Sequence, residues 1–123
     1  MEEDRLSSLA EFLNILGVES RLRIVKLLME YDSICVNGLA KRLGISQSAV
    51  SQHLRILSLM GLVASERIGY FTHYSLDCGK LAHMTDLFQE FCSEIGSEKR
   101  SRCLQEGGEK CAEEETGAQG LTG

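Results

Sequence analysis

The chain is predicted to be mainly α-helical with a single β-hairpin, an α+β fold, on three observations. Apolar residues recur at helical spacing in successive stretches between Leu6 and Met60. The period becomes strand-like over VASERIGYFTHYSL, residues 63–76, with Gly69 near its middle. Helical spacing then returns in KLAHMTDLFQEFCSEI, residues 80–95.

The elements follow in order. Leu6, Leu9, Leu13 and Leu16 stand at 3-4-3 spacing and give a first helix an apolar face, ending at Gly17. A second helix starts near Ser20, with Leu22, Val25, Leu27, Leu28 and Met29 as mostly buried positions, and Asp32-Ser33 breaks it. Val36, Leu39, Ala40 and Leu43 define a short third helix closed by Gly44. Ser46 suits the cap of the next helix, because its hydroxyl accepts a free amide of the first turn. Ala49, Val50, Leu54, Leu57 and Met60 form that helix's inward face. In the hairpin, Val63, Tyr74 and Leu76 are candidates for the covered side. Leu81, Met84, Phe88, Phe91 and Ile95 supply a 3-4-3-4 stripe for the last helix. Beyond Gly96 the pattern is lost; Gly107-Gly108 and the Glu113–Glu115 run predict a flexible Cys/Glu/Gly-containing tail over 97–123, after a domain of residues 1–96. Two helices separated by a glycine-containing turn, followed by a hairpin, describe a helix-turn-helix with a two-stranded wing. Residues 46–60 stand in the recognition-helix position.

Composition narrows the function. At 123 residues, 43% hydrophobic and 25% charged, the chain is an ordinary globular domain rather than a disordered one. No window approaches the roughly 18 apolar residues of a membrane span. The opening MEEDR is acidic where a secretory leader is basic, so a cytoplasmic protein is expected. Five cysteines, an odd number, then predict reduced thiols rather than a disulfide framework. Formal net charge is -5, but residues 19–76 carry seven basic and four acidic groups while each flank is acidic. Phosphate contacts depend on the local field, so nucleic acid is not excluded and strongly salt-sensitive binding is predicted. There is no Gly-rich phosphate loop, no HExxH and no plausible Ser/His/Asp arrangement, which argues against an enzyme and against a required cofactor.

Residues 21–76 resemble the arsenic-repressor (ArsR/SmtB) family of winged-helix transcriptional regulators. The matching pieces are SRLRIVKLL, CVNGLAKRLGISQSAVSQHLRIL, and GLV followed by RIGYFTHYSL. The resemblance implies a homodimer built on the first and last helices, an inverted-repeat operator of double-stranded DNA, and release on sensing a ligand. The residues themselves agree on the dimer, since both terminal helices carry wide apolar stripes and a small domain has little core left to cover them. The alternative is that the two helices pack on each other within one chain.

Ser46, Gln47, Ser48, Ser51, Gln52 and Arg55 occupy the outward face of the recognition helix. Gln pairs bidentately with adenine, Arg with guanine, and serines reach bases or phosphates. Such residues usually form a plain solvated face; the helix-turn-helix context assigns them to DNA. Lys41 and Arg42, ending the preceding helix, are expected to face phosphates. His53 is read as a packing or phosphate-facing residue, since no second ligand stands at i+3 or i+4, and His73 as structural. The wing departs from the family: its tip is Gly69-Tyr70, with Arg67 two residues before the glycine, where Gly followed by Arg is common. Tyr70 can bond a phosphate, lie in the minor groove, or be a simple surface aromatic.

The inducer is less sharply marked. The family's site on the helix before the recognition helix carries several cysteines in arsenite-sensing members; here Ile34-Cys35-Val36-Asn37 supplies one, and Asn37 and Ala40 replace others. One thiolate cannot make a three-sulfur cage or a four-ligand zinc site. The family's last-helix metal positions align with Cys78, Lys80, Phe91 and Glu94, two of which have no ligand chemistry. Cys92, Cys103 and Cys111 remain as a trio that would bind an arsenite-type metalloid. Cys92 also fits the later position of thiol-redox or reactive-sulfur sensors, though Cys35 does not fit the earlier one. The third reading is that none of these cysteines senses anything.

Overall fold

The computed structural model describes residues 3–94, 96 and 98–105. Five helices and three strands run in the order α1 (Glu3–Leu16), α2 (Glu19–Glu30), β1 (Ile34–Cys35), α3 (Val36–Leu43), α4 (Gln47–Leu59), β2 (Val63–Ile68), β3 (Phe71–Leu76) and α5 (Cys78–Ser93). A further helical segment, α6, covers 98–105, where no periodic pattern predicts one. The chain divides into two compact units between Phe88 and Gln89, inside α5.

Local chemistry explains the boundaries. Glu3 and Asp4 sit in the first turn of α1, where the free amides and the helix dipole favour carboxylates. Gly44 ends α3 at φ 69°, its N–H donating to Ala40 O at 2.8 Å. That left-handed conformation suits glycine and turns the chain into α4 within three residues. Ser46 Oγ accepts the Ala49 N–H at 3.1 Å, the cap expected of it. α4 ends with Gly61 at φ 79° and the Leu62 N–H bonded to Leu57 O at 3.0 Å, a Schellman closure. Asp77 caps α5 through Oδ1 to the Lys80 N–H, 3.0 Å.

The sheet has three strands in the order β1-β3-β2, not the two of a bare hairpin. β2 and β3 pair from Val63↔Leu76 to Ile68↔Phe71 around the two-residue turn Gly69-Tyr70. Gly69 takes φ 64°, as a glycine-first hairpin turn requires. The two residues of β1 pair with β3 as Ile34↔Tyr74 and Cys35↔His73.

The core is Ile24, Leu39, Val50, Leu54, Leu57 and Leu62, all inaccessible to solvent, extended by Leu9, Phe12, Ile15, Val25, Leu28, Val63, Met84 and Leu87. It corrects three expectations. α1 turns Leu9, Phe12 and Ile15 inward and leaves Leu6 and Leu13 exposed, so the core-facing stripe is rotated from the leucine stripe. In α2 the buried set is Ile24, Val25 and Leu28, while Leu22 and Met29 face solvent. In α5 Met84 and Leu87 are buried, but Phe88 and Phe91 are exposed; Ile95 lies outside the described residues. In all three helices apolar residues occur on more than one face, and only one face can meet this chain's own core.

Candidate DNA interface

α3, the Gly44–Ser46 turn and α4 form the helix-turn-helix, packed on α2 and β2. Within α4, Val50, Leu54 and Leu57 (i, i+4, i+7) are held in the core. That fixes the helix's rotation and turns the opposite stripe to solvent. Ser48, Ser51, Gln52 and Arg55 lie along this stripe, and Ser46 and Gln47 stand at its head; all six are exposed. Ser46 Oγ and Ser48 Oγ are 3.4 Å apart, and Gln47 Nε2 donates to Asn37 Oδ1 of α3 at 3.1 Å. Gln47 is thus braced against the preceding helix, and its amide oxygen makes no hydrogen bond among the described residues. Donors and acceptors therefore collect at the N-terminal half of α4, the end that meets base edges in helix-turn-helix complexes.

The supporting cations differ from one another. Lys41, Arg55 and Arg67 are exposed. Arg42 is engaged within the chain: Nε donates to Tyr31 Oη at 3.2 Å, the guanidinium lies 4.7 Å from that ring's centroid, and Nη1 donates to Gly38 O at 3.2 Å. To reach a phosphate it must leave the Tyr31 stack. Tyr70 projects fully from the wing turn.

His53 serves packing. Arg21 Nε donates to His53 Nδ1 at 3.3 Å, and Arg21 Nη1 to Ile15 O, the end of α1, at 3.0 Å. One guanidinium thereby ties α1 and α2 to the recognition helix. Neither the tying role of Arg21 nor the bracing role of Asn37 is visible in the sequence, since both arise only from tertiary contact. Burial, then the Arg21 charge, pushes the His53 imidazole below its ordinary value of 6.5. A depressed imidazole resists a proton that the unfolded chain accepts, so this site contributes no pH dependence well above about 6.5 and loses stability as pH falls below it. Urea midpoints at about pH 7.5 and pH 5.5 are expected to drop further for the wild type than for His53→Gln.

The candidate sensor residues fall in both compact units. Cys35 is half-buried in β1 and is the N-cap residue of α3, not a residue on that helix as the family alignment implied. Its register partner is His73, whose buried Nδ1 has no hydrogen-bond partner among the described residues. Cys78 is exposed at the start of α5, its thiol 3.9 Å from Leu76 O. In the second unit Cys92 and Cys103 are both exposed, and Cys111 lies outside the described residues. Among the described residues no three or more of His, Cys, Asp and Glu converge on a metal position. Nor is any helix among them long and apolar enough to cross a membrane.

Residues 19–65, from α2 into β2, match the model of a family described as bacterial regulatory protein, arsR family. The transcriptional repressor SmtB homolog of Synechocystis sp. is 36% identical over 95 residues, covering 77% of this chain and 69% of the relative. The cadmium resistance transcriptional regulatory protein CadC of Listeria innocua is 32% identical over 88 residues, covering 72% and 74%. The chain belongs to the arsR family. This arsR-family chain is also similar to the crystal structure of a possible transcriptional regulator for arsenical resistance, with a TM-score of 0.63 and 35% identity over 76% of this chain and 93% of the other. Reduced HlyU from Vibrio cholerae superposes with a TM-score of 0.60 at 31% identity, covering 73% and 95%. As a member of this family the chain is a transcriptional regulator with a DNA-binding helix-turn-helix.

Proposed function

We propose that the chain is a homodimeric cytoplasmic repressor that holds an inverted-repeat operator through α4 of each protomer and releases it when an arsenite-type inducer engages its cysteines. The observation that carries DNA reading is α4 itself: a Ser46-capped helix whose core-facing stripe fixes its rotation and whose other stripe presents Ser48, Ser51, Gln52 and Arg55. Ser46 and Gln47 stand at the head of that stripe, Lys41 of α3 and Arg67 and Tyr70 of the wing are assigned as flanking DNA contacts, and Arg42 joins them once unstacked from Tyr31. The dimer is supported by Leu6 and Leu13 of α1 and Phe88 of α5, large apolar side chains left more than a third exposed. Repression and a thiophilic inducer are supported by relatives named as a repressor, a cadmium resistance regulator and an arsenical resistance regulator.

Cys92, Cys103 and Cys111 are assigned as the inducer's ligands. Each thiol that binds arsenious acid replaces one hydroxyl, forming an As–S bond and releasing one water. A single site uses at most three such exchanges, which matches the trio. Cys35, half-buried and alone in its Ile34–Asn37 run, is left as a secondary candidate. A second reading, thiol oxidation, is favoured by the likeness to an HlyU structure recorded in its reduced state and by the exposure of Cys92 and Cys103. Two thiols would then form a disulfide, passing two electrons and two protons to an oxidant of the peroxide class.

Binding to a labelled operator duplex in reducing buffer, with and without arsenite, tests the assignment. Arsenite is expected to weaken wild-type binding about tenfold or more, a coupling typical of two linked sites. The Cys92→Ser/Cys103→Ser/Cys111→Ser variant is expected to bind DNA normally and ignore arsenite. A full response in that variant would remove the trio from the account; release by peroxide alone would favour oxidation.

A further inference from the structure

The tip of the wing is apolar. Ile68, Tyr70 and Phe71 surround the turn with exposures of 50%, 92% and 60%. Ile68 and Phe71 are the last register pair of β2 and β3, so their side chains leave the sheet on one side as neighbours. Hairpin turns are ordinarily made of glycine and small polar residues, and large apolar groups gathered at such a tip mark a contact surface. Charge does not explain the contact, because residues 64–72 contain one cation, Arg67, and one anion, Glu66. The tip is electrically neutral and gains little from phosphate attraction.

Its reach explains it better. Strands of six residues extend roughly 20 Å, and β2 packs on α4. With α4 seated in a major groove, a hairpin of that length is long enough to span one sugar–phosphate backbone and reach the adjoining minor groove. That groove, about 6 Å wide, admits side chains but no helix, and it offers few hydrogen-bonding differences to read. Apolar side chains act there by prising base steps apart, and flexible pyrimidine–purine steps yield most easily.

We infer that Tyr70 and Phe71, backed by Ile68, form an apolar wedge that enters the minor groove, partly unstacks one base step and makes operator choice depend on deformability beneath the wing. The inference rests on the DNA-binding reading above. It adds a second source of specificity to the hydrogen bonds of α4, acting at positions that α4 does not touch.

The test uses duplexes enriched by the wild-type full chain from a random-sequence library, labelled at both ends so that energy transfer reports bending. Tyr70→Ala/Phe71→Ala is expected to bind roughly tenfold or more weakly, with an unchanged slope of log affinity against log salt, because stacking contacts release no counterions. It is also expected to bend the duplex less and to lose any preference for pyrimidine–purine steps outside the α4 positions. Tyr70→Phe is expected to behave as wild type. Equal affinity and equal bending in the double variant would overturn the wedge while leaving DNA binding by α4 intact. A shallower salt slope, or loss of affinity in Tyr70→Phe, would overturn it in favour of a phosphate contact. A changed oligomeric state with unchanged bending would overturn it in favour of contact between copies of the chain. If the wild type enriches no sequence, the DNA-binding reading itself falls, and the wedge with it.

Discussion

Replacing Gln52 and Arg55 together with alanine is expected to reduce operator affinity roughly a hundredfold or more while leaving the fold intact. A bidentate Gln–adenine or Arg–guanine pair is worth about 1 to 3 kcal/mol of discrimination, and every 1.4 kcal/mol is about tenfold in affinity. A dimer loses each contact twice. Both side chains are exposed and make no hydrogen bond among the described residues, so truncation leaves no cavity. Alanine is also a better helix former than glutamine, and α4 should not unwind. Anisotropy on an operator duplex and on a scrambled one of equal length checks the result. The specific complex is expected to weaken towards the level of the scrambled duplex, with thermal unfolding unmoved. Equal weakening on both duplexes would place Gln52 and Arg55 on phosphates rather than bases.

Placing a carboxylate in the uncovered stripe of α1, by Leu13→Asp, is expected to raise the dimer dissociation constant about a hundredfold or more. Leu13 is 42% exposed in the single chain, so an aspartate there costs the monomer little. In a two-fold interface each substitution appears twice, and a buried carboxylate without a partner costs several kcal/mol. Sedimentation at micromolar concentration is expected to show dimers for the wild type and monomers for Leu13→Asp. Operator affinity should fall as well, because two half-sites are then bound separately rather than as a linked pair. A Leu13→Asp chain that remains dimeric would move the interface away from this face.

The parts of the fold legible in the sequence were those set by local chemistry. Gly44 and Ser46 bracket the turn of the helix-turn-helix, because one supplies a left-handed C-cap and the other an N-cap hydroxyl, and both act within four residues. Gly69 marked the hairpin for the same reason. Features that depend on distant chain were not legible. A two-residue strand such as Ile34–Cys35 has no period of its own and exists only through pairing with Tyr74 and His73. The stripe of α1 shows a related difficulty: leucine spacing reports that a face is apolar, not whether this chain or a partner covers it. Within the site, the outward residues of α4 followed from its inward ones by helix geometry. The Arg42–Tyr31 stack and the Arg21–His53 bond did not, since they join residues 11 and 32 positions apart.

The central claim is that α4, duplicated in a dimer, reads a particular DNA sequence. Selection from random-sequence duplexes by the wild-type protein, followed by sequencing of the bound pool, tests it most directly. The account predicts an enriched inverted repeat whose half-site centres lie about one helical turn apart, or a multiple of it, with affinity falling steeply as salt rises. A bound pool with no enriched sequence, or with a single unrepeated half-site, would contradict it.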